Sequence, residues 1–225
     1  MSSSKRTGLA ILAALFFCAF LASNASANPL TVEGGGSTTF MTGDQETIHK
    51  VTTPSGSVAC TSRVFSAKSA GTTINEISIA TTTSGCTAFG FATMHTQQNG
   101  CVYTATTPTK IVSGQVTWTA SSQLHLVCPA GKSIEITPTS FGVSICTMFM
   151  GAQTPTGGHI VGKSVTGSNP MDITLEITMT GIHYTGTGSV CGNGETHSDM
   201  TYTGNSTVRC YQDEAHTRQV GCTFS

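Results

Sequence analysis

The sequence is poor in charge. Only 9% of its 225 residues are Asp, Glu, Lys or Arg, and the formal net charge is −1. The few Lys and Arg residues form no cluster beyond the first 27 residues. Nucleic acids and anionic membranes attract proteins through clustered positive charge, so the sequence predicts neither kind of partner.

Leucine is also scarce. Beyond residue 27 it occurs only as Leu30, Leu124, Leu126 and Leu175, whereas threonine is abundant. Helices favour Leu, Ala, Glu and Lys, and strands favour Thr, Val and Ile. The composition therefore predicts an all-β protein.

The chain offers no recognised catalytic or metal-binding spacing. There is no Cys-x-x-Cys and no Gly-x-Ser-x-Gly. His197, Ser198 and Asp199 are the residue types of a hydrolytic triad, but adjacent residues of an extended chain point apart and cannot form a relay. We expect no enzyme, no cofactor and no metal, and keep a secreted hydrolase as an alternative.

Calcium binding is a further alternative near the C-terminus. Asn193, Glu195, Asp199, Asp213 and Glu214 supply side-chain oxygens in regions expected to be loops. Calcium needs six to eight oxygen ligands, but these residues match no recognised calcium-loop spacing. We therefore expect solvated loops here.

The N-terminus has the features of a secretory signal peptide. Lys5 and Arg6 precede a 13-residue apolar run, Leu9–Leu21, which is too short to span a bilayer. Ala25-Ser26-Ala27 fits a cleavage site. The sequence predicts a signal peptide over 1–27, a mature chain over 28–225, export to the outside of the cell or its surface, and no membrane span after signal removal.

The mature chain reads as many short strands. Residues 171–180 alternate strictly between apolar and polar, and shorter alternations occur around 77–80, 134–137, 143–149 and 200–210. Such alternation places one face of a sheet on a core and the other in water. We predict one all-β domain over 28–225, an antiparallel β-sandwich or related two-layer fold. The Pro and Gly residues within 151–170 leave a sub-boundary there open.

The cysteines predict disulfides that stabilise this fold. Eight remain after the predicted signal is removed, an even number in a chain expected to be exported. Short strand-turn-strand segments favour the pairs Cys86–Cys101 and Cys128–Cys146, and the other four stay unassigned. The complete set is Cys60, Cys86, Cys101, Cys128, Cys146, Cys191, Cys210 and Cys222.

The stretch Ser84–Cys101 brings several of these signals together. Ser84-Gly85 and Asn99-Gly100 are turn signals, each directly before a cysteine. Phe89, Phe91 and Thr93 share one parity, which predicts a strand with one buried face between the turns.

Four segments carry a resemblance to a known family. They are Ser84–Phe91, Asn99–Tyr103, Cys128–Ile134 and Thr201–Val208, in that order. Together they resemble a family of exported, Thr- and Gly-rich, cysteine-containing proteins of actinobacteria. The resemblance implies a secreted all-β protein and carries no activity, cofactor or catalytic residue.

Two non-enzymatic functions remain. The first is a structural or adhesive role at the cell surface, which fits low charge and many disulfides. The second is binding of carbohydrate or another ligand on a sheet face, with cell-surface or polysaccharide contact as a possible partner. Sugar sites need exposed aromatic rings, but Trp118 shares its parity with Val116, which favours a core position.

Overall fold

The computed structural model describes residues 30–34, 38–70, 73–74, 76–106, 110–112, 115–165, 167 and 172–224. The predicted signal peptide 1–27 and the predicted first mature residue, Asn28, lie outside these ranges. The described chain is almost entirely β-structure, which confirms the all-β prediction. No helix among the described residues is long and apolar enough to cross a membrane.

Most of the strands follow one another along the chain with short connections between them. In chain order they are β1 (Leu30–Val32), β2 (Thr38–Gln45), β3 (His49–Thr53), β4 (Gly56–Ala70), β5 (Thr73–Ile74), β6 (Ile77–Ala88), β7 (Ala92–Gln97), β8 (Val102–Ala105), β9 (Lys110–Val112), β10 (Gln115–Thr119), α1 (Ala120–Gln123), β11 (Leu124–Val127), β12 (Ile134–Ser140), β13 (Val143–Ser144), β14 (Thr147–Met150), β15 (Gly157–Ser164), β16 (Ile173–Thr187), β17 (Thr196–Tyr211), β18 (Gln219–Val220) and β19 (Cys222–Phe224).

Eight of the strands form a closed ring of antiparallel pairs. The order is β17-β2-β4-β6-β7-β12-β14-β16, and β16 pairs back with β17. The expected two-layer sandwich is therefore corrected to a closed barrel with additional strands.

The long strands explain why the sheet closes. β4, β16 and β17 contain 15, 15 and 16 residues. β4 pairs with β3 up to Cys60 and with β2 from Val64 onward. The β16–β17 register shifts between Met179 and Ile182, next to Gly181 with a φ of +64°. Such irregularities bend a strand and increase its twist, so the sheet curls on itself. Apolar–polar alternation predicts one buried face, but it does not distinguish a sandwich from a barrel.

Strands outside the ring complete the molecule. β8 pairs with β11 and with residues Ile77–Ile79 at the start of β6, and β15 pairs with β10 and β16. β19, β1 and β5 form a separate three-stranded sheet. Phe224 of β19 packs edge-on against Trp118 of β10, with ring centroids 5.5 Å apart. The C-terminal strand therefore covers one end of the core.

The eight cysteines form four disulfides, but the two pairs favoured from the sequence are wrong. The structure joins Cys60–Cys86, Cys101–Cys128, Cys146–Cys191 and Cys210–Cys222. Four disulfides are compatible with an oxidising environment outside the cytoplasm.

Strand neighbours decide this connectivity. Cys60 and Cys86 lie directly opposite each other on β4 and β6. Cys101 precedes β8 and Cys128 follows β11, and these two strands pair through Val102 and Val127. Cys86 and Cys101 bond to different partners although they are close in sequence, and so do Cys128 and Cys146, so short sequence separation predicted the wrong partners for these four.

The strand expected through Phe89, Phe91 and Thr93 is also corrected. Residues 89–91 form the turn between β6 and β7, and Phe89 has a left-handed φ of 55°. Phe91 is exposed. The shared parity of these residues therefore does not describe a strand face. The strand expected over 171–180 is observed as β16 from Ile173 onward, and Met171 lies outside the described residues.

Candidate functional site

A cavity of about 100 Å³ lies inside the barrel. Most of the side chains that line it are aliphatic or thioether groups, contributed by at least six strands. They include Leu126, Ile134, Ile136, Met150, Ile182 and Met200. Polar side chains also line it: Thr83, Thr96, Gln98 and Gln153, and a second group formed by His49, Arg63, Tyr103 and Tyr202. We call the four residues of this second group the polar wall.

Arg63 faces inward because the alternation of β4 changes phase. Cys60 and Arg63 both line the cavity although they are three residues apart. Thr61 and Ser62 between them are exposed. On the neighbouring strand Gly85 has a φ of +58°, and its carbonyl accepts a hydrogen bond from Thr61 Oγ1 at 3.2 Å. A glycine adopts this conformation without strain, so this position allows the inversion.

His49 is held by hydrogen bonds to β17. Its side chain is 1% exposed. Nδ1 hydrogen-bonds to the Tyr202 hydroxyl, and Nε2 lies 3.0 Å from the Asn205 carbonyl oxygen and 3.0 Å from Ser206 Oγ. The ring lies directly over Gly204, where an added Cβ would overlap it. Gly204 is therefore required for the close approach of the His49 ring to the β17 backbone.

These partners fix the tautomer of His49. A carbonyl oxygen can only accept, so Nε2 carries the proton and donates it to Asn205. Nδ1 is then the acceptor, and the Tyr202 hydroxyl donates to it. Burial lowers the pKa of His49 to about 4, although the Asn205 carbonyl opposes the shift. At neutral pH the ring is an uncharged hydrogen-bonding group, and it is a weak base for catalysis.

Tyr202 is also neutral. Burial raises its pKa to about 12, and the nearby Arg63 guanidinium opposes this rise. The pKa of Tyr103 is raised for the same reason and opposed by the same guanidinium. The polar wall therefore combines a neutral imidazole and two neutral phenols with one permanent positive charge.

Among the described residues, no carboxylate lies beside Arg63 in the cavity. Its guanidinium carbon lies 4.7 Å from the Tyr202 ring centroid and 5.4 Å from the Phe65 ring centroid. Its Nε is buried and has no hydrogen-bond partner within the described part of the chain. Neither Asp nor Glu is among the described residues that line the cavity. A partly buried cation without a counter-ion is costly, and the aromatic rings offset this cost only in part.

Gln153 closes one side of the cavity. Its backbone exchanges two hydrogen bonds with Leu126, of 2.8 and 2.9 Å. Its side chain bonds to the backbone of His183, with Oε1 accepting at 2.6 Å and Nε2 donating at 2.7 Å. The segment before β15 is thus fastened to β11 and β16. Pro155 of the same segment also lines the cavity.

A second cavity, also of about 100 Å³, lies toward β19. It is lined by apolar side chains together with Thr42 and Gly43, and no charged residue of the described chain lines it. Trp118 faces it and is 7% exposed, which confirms the core position expected from its parity with Val116. Its indole Nε1 donates to the Thr106 carbonyl at 2.8 Å. Trp118 is therefore no exposed stacking platform for a sugar.

The other residues considered from the sequence do not converge on a site. His197 stacks on Tyr184 with centroids 5.0 Å apart, and Ser198 is exposed. The acidic residues on and beside β16 form ion pairs instead, with Asp172 at 3.5 Å from Arg209 and Glu176 at 3.0 Å from Lys163.

The residues considered for calcium are dispersed in a similar way. Asp213 accepts hydrogen bonds from the Thr217 and Arg218 backbone. Among the described residues, no three His, Cys, Asp or Glu side chains group together as a metal site would require.

The polar wall was missed from the sequence. His49 and Tyr202 are 153 residues apart, so no local spacing brings them together. Arg63 appears at an outward position if the alternation of β4 is extended from Cys60. The available signal was the Ser84-Gly85 pair, which marks an irregularity on the strand opposite.

Comparison of the chain with protein-family models, curated proteins and solved structures finds no match.

Proposed function

We propose that this is an exported, non-enzymatic binding protein that takes a small ligand inside its barrel. The single observation that carries the proposal is the interior cavity, with its aliphatic lining and one polar wall. Ligand sites in proteins are concave, mostly apolar and contain a few placed polar groups. The sheet face expected to bind a ligand is then the inner face of the barrel.

The size of the cavity limits the ligand. An apolar cavity of about 150 Å³ in another protein binds benzene. The cavity of about 100 Å³ here suits a molecule of a few non-hydrogen atoms. Long chains and sugars are too large for it without a rearrangement of the barrel.

A neutral probe tests this proposal. Titration with 1-butanol, followed by methyl NMR, should shift the signals of Ile134, Ile182 and Met200, which line the cavity. The methyl signals of exposed Ile48 should stay unchanged. Shifts at Ile48 alone, or none at any concentration, would contradict interior binding.

A matched pair of variants sharpens the test. Ile136 lines the cavity and is 4% exposed. Ile136→Phe should fill part of the space and abolish 1-butanol binding, while the volume-conserving Ile136→Leu should retain it. Melting curves establish that each variant is folded.

Export is part of the proposal. The charged start, the 13-residue apolar run and Ala25-Ser26-Ala27 support a cleaved signal, and the four disulfides support an oxidising destination. N-terminal sequencing of the exported protein should begin at Asn28. An intact segment 1–27 on the exported product would contradict it.

A structural or adhesive role at the cell surface is the second candidate. Phe91 and Phe141 are both exposed. The turn with Phe91 precedes Thr93 and the turn with Phe141 follows Thr139, and these two threonines pair across antiparallel strands, so both turns lie at the same end of the pair. Two exposed aromatic rings on adjacent turns form a possible contact for polysaccharide. If these two rings bind polysaccharide, the double variant Phe91→Ser, Phe141→Ser should no longer be retained on insoluble polysaccharide, while Trp118→Phe should be retained like the unmodified protein. Equal retention of the unmodified protein and both variants would contradict binding through Phe91 and Phe141.

A further inference from the structure

We infer that the interior cavity is a site for a small organic anion, a short-chain carboxylate whose head group binds Arg63 and whose alkyl chain lies among the aliphatic side chains. This inference rests on the proposed function and names the class of ligand that the same cavity takes.

The lining of the cavity carries a net positive charge. The Arg63 guanidinium is permanently positive, and the described residues lining the cavity include no Asp or Glu. His49 is neutral near pH 7, and so are the phenols of Tyr103 and Tyr202. The interior therefore has a net positive charge in an apolar surrounding, where an anion would be attracted far more strongly than in water.

The Arg63 guanidinium also has an unused hydrogen-bond donor. Arg63 Nε is buried without a hydrogen-bond partner in the described part of the chain. A guanidinium presents five N–H donors in a planar fork, and that fork matches the two oxygens of a carboxylate. A carboxylate at this point would satisfy the free Nε–H and neutralise the charge with one group.

The Tyr202 hydroxyl has a fixed hydrogen-bond partner. Its proton is donated to His49 Nδ1, so the hydroxyl has no proton left to donate to an anion. The anion is therefore left to the Arg63 guanidinium, which lies over the Tyr202 ring. His49 acts as a positioning residue because it accepts the Tyr202 hydroxyl proton, and Gly204 allows the His49 ring to lie against the β17 backbone.

The remainder of the cavity selects the rest of the ligand. Apart from Thr83, Thr96, Gln98 and Gln153, the lining beyond the polar wall is apolar, and side chains such as Leu126, Ile134 and Met200 offer no hydrogen bond. An inorganic anion such as phosphate would leave its other oxygens facing these groups unpaired, which is unfavourable. A carboxylate with a short alkyl chain satisfies both the charged and the apolar parts of the wall.

Three ligands of nearly equal shape test the inference. Butanoate, 1-butanol and butylammonium differ mainly in the charge of the head group. NMR titration of the disulfide-intact protein at pH 7 should give a dissociation constant for butanoate at least tenfold below that of 1-butanol. Butylammonium should bind more weakly than 1-butanol.

Variants assign this preference to Arg63. Arg63→Met keeps an apolar chain of similar length and should bind butanoate no better than 1-butanol. Arg63→Lys keeps the charge but loses the fork, and should retain part of the preference. Lys50→Met removes one positive charge from an exposed position on β3 and should leave the preference intact. If Arg63→Met does not fold, the preference for butanoate is still tested by Arg63→Lys and by titration of the three ligands into the unmodified protein.

The outcomes separate the two proposals. If 1-butanol binds inside and butanoate binds no tighter, the anion inference is overturned while interior binding stands. If neither ligand reaches the cavity, both proposals fail. An equal loss of preference in Arg63→Met and Lys50→Met would attribute it to overall charge and overturn the role of Arg63.

Discussion

The two interior cavities share part of a wall, formed by Phe65, Ile79, Ile160 and Ile177, yet the rest of their linings differ. Toward β19 the lining contains no charged residue of the described chain, and the polar atom of Trp118 is bonded to backbone outside the space. On the other side the same barrel encloses Arg63 and His49. Closure of the sheet therefore does not by itself require buried polar groups. Buried polar groups lower stability at positions where apolar side chains could fill the core, and such groups are characteristic of functional sites.

The largest effect on stability is expected from reduction of the disulfides, which fasten the walls of both cavities. Cys60–Cys86 lies in the wall of the polar cavity, and Cys210–Cys222 fastens β19 over the apolar one. Removal of one native disulfide costs about 2–5 kcal/mol, and a whole domain has roughly 5–15 kcal/mol of stability. Reduction of all four should therefore unfold the protein at room temperature, as measured by circular dichroism. An unchanged melting temperature after complete reduction would contradict this.

A substitution in the apolar region should have the next largest effect. Phe224 is 7% exposed and packs on Trp118. Phe224→Ala should reduce the free energy of unfolding by about 3–5 kcal/mol, because it leaves a cavity. The matched control is Phe91→Ala in an exposed turn, with a change within about 0.5 kcal/mol. Denaturant unfolding measures both, and equal values would show that β19 does not cover the core as described.

The polar region should be distinguished by its response to acid. The pKa of His49 is about 4 in the folded protein, below its ordinary value near 6.5, so the unfolded chain binds the extra proton first. The contribution of neutral His49 to the free energy of unfolding is fully present above about pH 6.5 and is lost as the pH falls toward 4. The loss is at most about 3 kcal/mol.

The control for this effect is a second histidine. His49→Gln should flatten the fall in stability between pH 7 and 4.5, whereas His183→Gln, at an exposed position, should leave it as in the unmodified protein. Denaturant unfolding across this pH range checks the difference. Parallel curves for His49→Gln and the unmodified protein would show that His49 is not held neutral by burial.

The smallest expected effect concerns a single hydroxyl. Tyr202→Phe keeps the ring beside Arg63 but removes the donor to His49 Nδ1. An unsatisfied buried acceptor costs about 1–3 kcal/mol. Tyr211→Phe, at a partly exposed position on β17, should cost less than about 0.5 kcal/mol. If both variants are equally stable, the His49–Tyr202 hydrogen bond does not stabilise the fold.

The sequence predicted local features well. Alternation identified β16 from Ile173, and parity with Val116 placed Trp118 in the core. Both depend on near neighbours in the chain, whose side chains alternate across a strand.

Features that depend on which strands become neighbours were not predicted. The disulfide partners follow from the pairing of β4 with β6 and of β8 with β11, which strand patterns alone do not specify. Closure of the barrel depends on register shifts such as the one near Gly181. The polar wall depends on the phase change between Cys60 and Arg63 and on a partner 153 residues from His49.

The most direct test of anion binding inside the barrel is a crystal structure of the disulfide-intact protein grown with butanoate. We predict density for the ligand inside the barrel, with both carboxylate oxygens within hydrogen-bond distance of the Arg63 guanidinium. The alkyl chain should lie against Ile134 and Met200. A parallel crystal of Arg63→Met should lack this density. Butanoate bound only on the outer surface, or an interior that stays closed to it in the unmodified protein, would contradict the central claim.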